Sequence, residues 1–362
     1  MSFPLTETDF PAVSQILEQM GRAKQLNLGL QLSIATAEGQ SDLAFGESEP
    51  GLPLTAHMRL PWMSAAKPIT AVLIGQLVES GQCEWETPVC ELVPGFDHPT
   101  HNTITLKHLL THTSGLQQAA LNFQVSQTAE LITQINALEQ KSSPGEIAAY
   151  VPQVTWVLLM GVIEALTGQQ FGEVVLERVL SPCQMTQTTC QGPLSPEVKS
   201  QFSKLYERVK AQRVESDWNG RIESPVPNPG SSFAGPASDL CRFYAQLMAI
   251  GAGKQSPLAL SQRTLTEMTL RHRKGMHDET FQHTVDYGMG VIINSREYGP
   301  ETVPYGYGPQ ASLTSYGHGG SQSSIAFVDP ERQISLVMIS NGRPGEGHHQ
   351  RLFRKLLEGI EA

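Results

Sequence analysis

Apolar residues recur along this chain with two different periods, and the change of period marks out its organisation. Val13, Ile16, Leu17 and Met20 fall at helical spacing and predict a helix from Phe10 to Leu26. Leu28, Leu30, Leu32 and Ile34 then alternate with polar neighbours, predicting a strand over 28–35, a turn at Glu38–Asp42 and a returning strand near Leu43. A long helical block follows. Its predicted helices run from Ala71 to Ser80, Ile104 to Gly115 (capped at Thr103 or Thr105), Ala129 to Gln140, Thr155 to Thr167, Phe171 to Leu180, Asp239 to Ile250 and Leu260 to Leu270. Residues 211–237 interrupt it with Pro, Gly, Ser and Asn, an irregular stretch long enough to cover a site. The character changes near Tyr287. Strand-like runs occupy 289–294, 323–328 and 334–339, the last two joined by a tight turn at Asp329-Pro-Glu-Arg, and a final helix spans His348 to Ile360.

Strands at both ends with helices between predict a mixed α and β fold. Its antiparallel sheet is built from both termini, flanked by helices, with a mostly helical subdomain inserted. The expected division is 1–66 with 285–362 as the α/β part and 67–284 as the helical part, with the site at their junction.

Composition narrows the class further. With 362 residues, 40% hydrophobic and 17% charged, the chain is an ordinary globular one able to bury a large core. A formal net charge of -10 argues against nucleic acid as a partner. No apolar run approaches a membrane span, and the N-terminal residues lack the basic and apolar regions of a signal peptide. Five cysteines, none in a Cys-x-x-Cys pair, read as reduced, mostly buried thiols and not as a zinc site or disulfide frame. A cytoplasmic address is expected. Neither a phosphate-cradling glycine loop nor a dinucleotide fingerprint occurs, so no cofactor and no catalytic metal is implied. His108 and His112 stand four apart as metal ligands do, but no glutamate lies between them in the His-Glu-x-x-His arrangement.

The chemistry concentrates in Pro61-Trp-Met-Ser64-Ala-Ala-Lys67-Pro-Ile-Thr70. Ser64 and Lys67, three apart on a helix, share one face and can touch. A serine hydroxyl needs a base to become a nucleophile, and a desolvated lysine amine can be that base. Short motifs match by chance, yet of all the lysines only Lys67 follows a serine by three positions, and its setting is apolar. No Gly-x-Ser-x-Gly elbow competes for the role.

With this motif, two further runs carry a resemblance. Ile104-Thr-Leu-Lys-His-Leu-Leu-Thr-His-Thr-Ser-Gly-Leu116 and Tyr316-Gly-His318-Gly319-Gly320-Ser321, the latter followed by two strands and Ser340-Asn-Gly342, resemble the serine β-lactamase-like hydrolases. That group includes class C β-lactamases, DD-peptidases and related serine esterases, and the resemblance spans about residues 25–345. It implies that Ser64 is acylated, that Lys67 is its proton partner, and that the backbone N–H groups of Ser64 and Ser321 form the oxyanion hole. His318, Gly319 and Gly320 are implied to line the substrate edge of the sheet. The family's middle motif, Tyr-x-Asn, has Tyr150-Val-Pro152 as its counterpart. Tyr150 keeps the phenol, and Lys67 alongside is expected to lower its titration from about 10. His318 is expected to titrate near neutrality and to act on a substrate oxygen or as a weak cation. Pro152 departs from the motif, because it has no side-chain amide to hold an amide substrate. The resemblance therefore implies a carboxylesterase acting on a small-molecule ester. Its alternatives are an acyltransferase or amide-forming enzyme with the same acyl-enzyme, a β-lactamase or DD-peptidase, and an inactive binding protein on this scaffold.

Overall fold

The computed structural model describes every residue except 1–2, 23–27, 191, 211, 219–222, 300–304 and 362. Its centre is a seven-stranded antiparallel sheet, and the sheet does draw on both ends of the chain. Strands Gly29–Thr36, Gly39–Glu49 and Leu52–Pro53 come from the N-terminal part; Ile292–Ile293, Tyr316–Gly320, Ser324–Asp329 and Ile334–Ser340 come from the C-terminal part. The two sets meet where Gly29–Thr36 pairs with Ile334–Ser340, Leu30 opposite Ser340 and Ala35 opposite Ser335.

Residue alternation explains how this sheet is covered on both faces. Successive side chains of a strand point to opposite sides. Ile325, Phe327, Leu336 and Met338, with Leu30, Leu32 and Ile34, join one apolar cluster. Helices Pro11–Ile16 and Glu346–Glu361 cover that face, supplying Val13, Leu352, Phe353 and Leu356. Ala326, Val328, Val337 and Ile339 point the other way into a larger cluster with Phe243, Tyr244 and Leu247 of helix Ala237–Gly251. Gln31, buried on this second face, accepts a hydrogen bond from Ala237 N at 2.9 Å, so even its polar group is satisfied. The larger cluster continues into helices Lys67–Glu79 and Pro152–Thr167, whose packing carries the helical block.

Several predicted elements shift, each for a local reason. Ser64 lies in a 3-10 turn, Met63–Ala66, and the α-helix begins at Lys67. Three residues per turn still stack Ser64 over Lys67. The helix expected to reach Gly115 ends at Leu110, because His112 adopts a left-handed φ of 55°. The first helix is α-helical over Pro11–Ile16 and widens to a π turn over Leu17–Arg22; the rest of that predicted helix, 23–27, lies outside the described residues. Of the run 289–294, only Ile292–Ile293 pairs as a strand, since Gly290 at φ +74° turns the backbone to donate to Leu110 O at 3.0 Å. The irregular stretch 211–237 contains one arm of a hairpin, Gln212–Glu215, paired with Tyr206–Val209. Among the described residues no helix is long and apolar enough to cross a membrane. All five cysteines are free, and all but Cys90 are buried.

Candidate active site

The turn that carries Ser64 is clamped on both sides. Trp62 is fully buried: its Nε1–H donates to Gly235 O at 2.8 Å, its backbone N–H donates to Phe233 O at 3.0 Å, and its ring stacks on Phe233. Ser324 Oγ donates to Trp62 O at 2.6 Å, tying the turn to the sheet. Tyr244 Oη donates to Ala65 O at 3.0 Å from helix Ala237–Gly251. Between these anchors Met63 is held at φ 51°, a conformation that a non-glycine residue keeps only when its surroundings enforce it. Gly320 shows how closely strand and turn approach. A Cβ at that position would stand 2.6 Å from Trp62 O, so only glycine fits.

Lys67 lies beneath Ser64 and is 1% exposed. Its Nζ stands 3.0 Å from Ser64 Oγ and donates to Gly230 O at 2.8 Å. Trp156 and Tyr150 present their rings to the same amine, with centroids 5.1 and 5.5 Å away. Its acceptor is supplied by the irregular stretch, where Asn228 Oδ1 holds Gly230 N at 3.1 Å and Thr70 Oγ1 donates to Pro229 O. No carboxylate pairs with the ammonium among the described residues, and burial holds its pKa well below the ordinary 10.5. The spacing thus places beside Ser64 an amine that gives up its proton more readily than an exposed lysine does.

Tyr150 Oη donates to Ser64 Oγ at 2.8 Å, so phenol and amine converge on one hydroxyl. Two contacts position its backbone. Tyr150 N donates to Asp278 Oδ1 at 3.2 Å, and Val151 N donates to His112 Nδ1 at 3.2 Å. Asp278 also accepts from Thr280 N and Phe281 N at 2.9 and 3.0 Å, and stands 3.0 Å from the fully buried Arg273 guanidinium. Phe281 in turn stacks on Tyr150 with centroids 4.6 Å apart. His112 does its work as a scaffold here, while His108 Nδ1 accepts from Thr105 N at the start of its own helix.

Two expectations about titration are corrected. The Tyr150 phenol is raised, not lowered: burial is the largest cause, and the fields of Asp278 and Glu346 add to it. The hydrogen bond to Ser64, which lowers the phenol's pKa, does not offset burial. His318, 1% exposed, is pushed down to about 3, first by burial and then by the Lys67 charge. It is a neutral imidazole and not a weak cation. Its Nδ1 lies 2.6 Å from Gly319 O, a pure acceptor, so Nδ1 carries the proton and Nε2 is left as a lone pair without a partner among the described residues.

Ser64, Tyr150, His318, Gly319, Gly320 and Ser321 all line one cavity of about 530 Å³, with Lys67 under its floor. The sequence-predicted residues are therefore together. Pro152 also lines it, as the first residue of helix Pro152–Thr167, and presents a ring where the family motif has an amide. Gln118, Phe281, Glu346 and Gln350 line the cavity as well and were not singled out from sequence. Only the position of Gln118, just beyond the Thr-Ser-Gly-Leu run, gave a sequence signal for any of them.

A sheet of this topology, with a serine bonded to a buried lysine and a buried phenol, defines the class of serine hydrolases. The chain belongs to the Beta-lactamase family, whose model matches residues 19–360. It is 26% identical over 310 residues to penicillin-binding protein 4 of Amycolatopsis lactamdurans, covering 81% of this chain and 75% of that protein. The chain spans 64–75% of the length of the first four curated relatives it matches. Among solved structures it is similar to EstCE1, described as a hydrolase with promiscuous acyltransferase activity (TM-score 0.80, 19% identity, 98% of each chain). It is also similar to the D-amino acid amidase of Ochrobactrum anthropi SV3 (TM-score 0.74, 20% identity, 97% of each chain). At these identities the structural likeness speaks for the fold.

Proposed function

We propose that the protein is a carboxylesterase working through an acyl-enzyme on Ser64. The convergence of Tyr150 Oη and Lys67 Nζ on Ser64 Oγ, at 2.8 and 3.0 Å, carries the reading. Neutral Lys67 takes the Ser64 proton as Oγ bonds to the acyl carbon and the carbonyl oxygen becomes an oxyanion. The backbone N–H groups of Ser64 and Ser321 receive that oxyanion. Collapse breaks the ester C–O bond. The departing alkoxide takes a proton from the Tyr150 phenol, which the Lys67 ammonium restores. Water then attacks the acyl carbon and yields its proton to Lys67; the acid leaves, and Ser64 recovers its hydroxyl.

The pKa directions divide the labour. A phenol raised by burial is an acid and hydrogen-bond donor, whereas an amine lowered by burial is a base. Pro152 supports esters over amides, since no side-chain amide at that position receives a substrate peptide group. Reduced cysteines support a cytoplasmic address.

Acyl transfer to an alcohol or amine is the second reading, favoured by the likeness to EstCE1, a hydrolase with promiscuous acyltransferase activity. Turnover of p-nitrophenyl acetate with and without added methanol and amines separates the two. Hydrolysis that added nucleophiles leave unchanged fits the esterase, whereas transfer products that outrun free acid fit the transferase. Turnover of nitrocefin at a rate matching that of the ester would overturn the preference against lactams.

A further inference from the structure

The cavity above Ser64 has an unusual charge balance. Among the described residues that line it, Glu346 is the one carboxylate and none is a lysine or arginine, while His318 is held down to about 3. Lys67 is sealed beneath the serine and directed at Ser64 and Gly230. Glu346 opens helix Glu346–Glu361, a favourable place for a carboxylate. That accounts for its tolerance there; the side chain is exposed, and Glu346 forms no hydrogen bond or ion pair among the described residues. Desolvation raises the Glu346 pKa above the ordinary carboxylate value and Arg343, three residues earlier, offsets part of that, yet the Arg343 guanidinium lies over the Trp218 ring and 3.9 Å from Glu207, and it does not line the cavity.

A second, independent feature points the same way. His318 Nε2 is buried, lines the cavity, and offers a lone pair with no donor to fill it. One wall is aromatic, where Phe281 stacks on Tyr150. Carboxylate, lone pair and aromatic faces all attract cations, and among the described residues the lining holds no cationic side chain that would pair with a substrate carboxylate.

We propose that this cavity selects acyl substrates bearing an ammonium group, and that Glu346 is the residue that sets the preference. This rests on the reading of Ser64 as the acylated nucleophile. A substrate whose ammonium sits several ångströms from the scissile carbonyl gains from Glu346 while its acyl group reaches Ser64. A substrate carrying a carboxylate at that place meets a like charge.

The test uses three p-nitrophenyl esters of matched shape at pH 8: the γ-trimethylammoniobutyrate, its neutral tert-butyl isostere, and the glutarate half ester. The wild type is expected to favour the cationic over the neutral ester in kcat/KM by about tenfold, and to disfavour the anionic one by a similar factor. The preference should shrink with added salt. In Glu346→Gln the cationic-to-neutral ratio is expected to fall to near one, and in Glu346→Lys to invert. A wild-type ratio near one, or a ratio that survives Glu346→Gln, overturns the proposal; continued turnover of the neutral ester then leaves the Ser64 reading intact. Failure to turn over any ester counts against the Ser64 reading instead. For that case, calorimetric titration with benzyltrimethylammonium decides the cation site directly: binding lost in Glu346→Gln upholds it, and binding absent or unchanged refutes it.

Discussion

The backbone N–H of Tyr150 donates to Oδ1 of Asp278, a residue 128 positions further along the chain. The same carboxylate holds Thr280 N and Phe281 N and pairs with Arg273, and neither member of the pair is exposed. Asp278 is thus a positioning residue for both the phenol and the aromatic wall beside it. Asp278→Ala leaves a buried guanidinium unpaired, which costs about 3–5 kcal/mol. Urea unfolding should show that loss. Asp278→Asn keeps an acceptor for the three N–H groups, so it should lose less kcat than the alanine variant. Equal loss of kcat in both would show that the hydrogen bonds to these backbone groups are not what positions Tyr150.

With Lys67 as the proposed base, activity should have an acid limb. As the base Lys67 must be neutral, so kcat/KM should rise with pH through a pKa well below 10.5 and then level off. Lys67→Arg keeps the cation at all accessible pH values and should fall by at least about 10³. The stability linkage has the same sign. A lysine whose folded pKa is depressed binds fewer protons folded than unfolded, so its contribution to stability improves as pH rises from the folded pKa towards the unfolded value. Lys67→Met should remove that slope. A wild-type rate that falls over the same pH range would assign the base elsewhere.

Tyr150→Phe keeps the stack on Phe281 and removes only the hydroxyl. Loss of about 10²–10⁴ in kcat is expected, with stability little changed by comparison. Because burial raises the phenol, wild-type activity should show no alkaline loss from Tyr150 around pH 8–9. Steady-state rates over pH, measured on both proteins, check this directly. An alkaline gain that vanishes in Tyr150→Phe would instead identify a working phenolate.

His318 contributes to acid sensitivity through the folded state. Its folded pKa of about 3 lies below the ordinary 6.5, so between these values the unfolded chain binds the extra proton. Its cost is nil above about pH 6.5 and grows as pH falls towards 3. His349 behaves alike, pushed to about 3 by burial. His318→Gln should therefore flatten the fall of Tm on acidification between pH 6.5 and 4, and thermal melts at stepped pH measure it. An unchanged slope would show that other groups carry the acid response.

What could be read from the sequence follows from how local each feature is. Ser64 and Lys67 are three residues apart, and their contact survives whether the turn is α or 3-10. The hairpin from Ser324 to Ser340 was legible because two strand-like runs flank the tight turn at Asp329–Arg332. The strand expected over 289–294 shrank to two residues because Gly290 takes a tertiary hydrogen bond that no local pattern encodes. Tyr150 was reachable only through family resemblance, since its hydrogen bond to Ser64 spans 86 positions. Asp278, Phe281 and Glu346 went unnoticed for the same reason: each meets the site through distant packing. The titrations of Tyr150 and His318 were misjudged because burial, not the nearest charge, decides them.

The most direct test of the account is intact-protein mass spectrometry after exposure to a fluorophosphonate and, separately, to p-nitrophenyl acetate, on wild type and Ser64→Ala. The account predicts one phosphonyl adduct and a transient acetyl adduct on the wild type, both absent from the variant. No adduct, or one that persists after Ser64→Ala, would contradict it and leave the scaffold without its nucleophile.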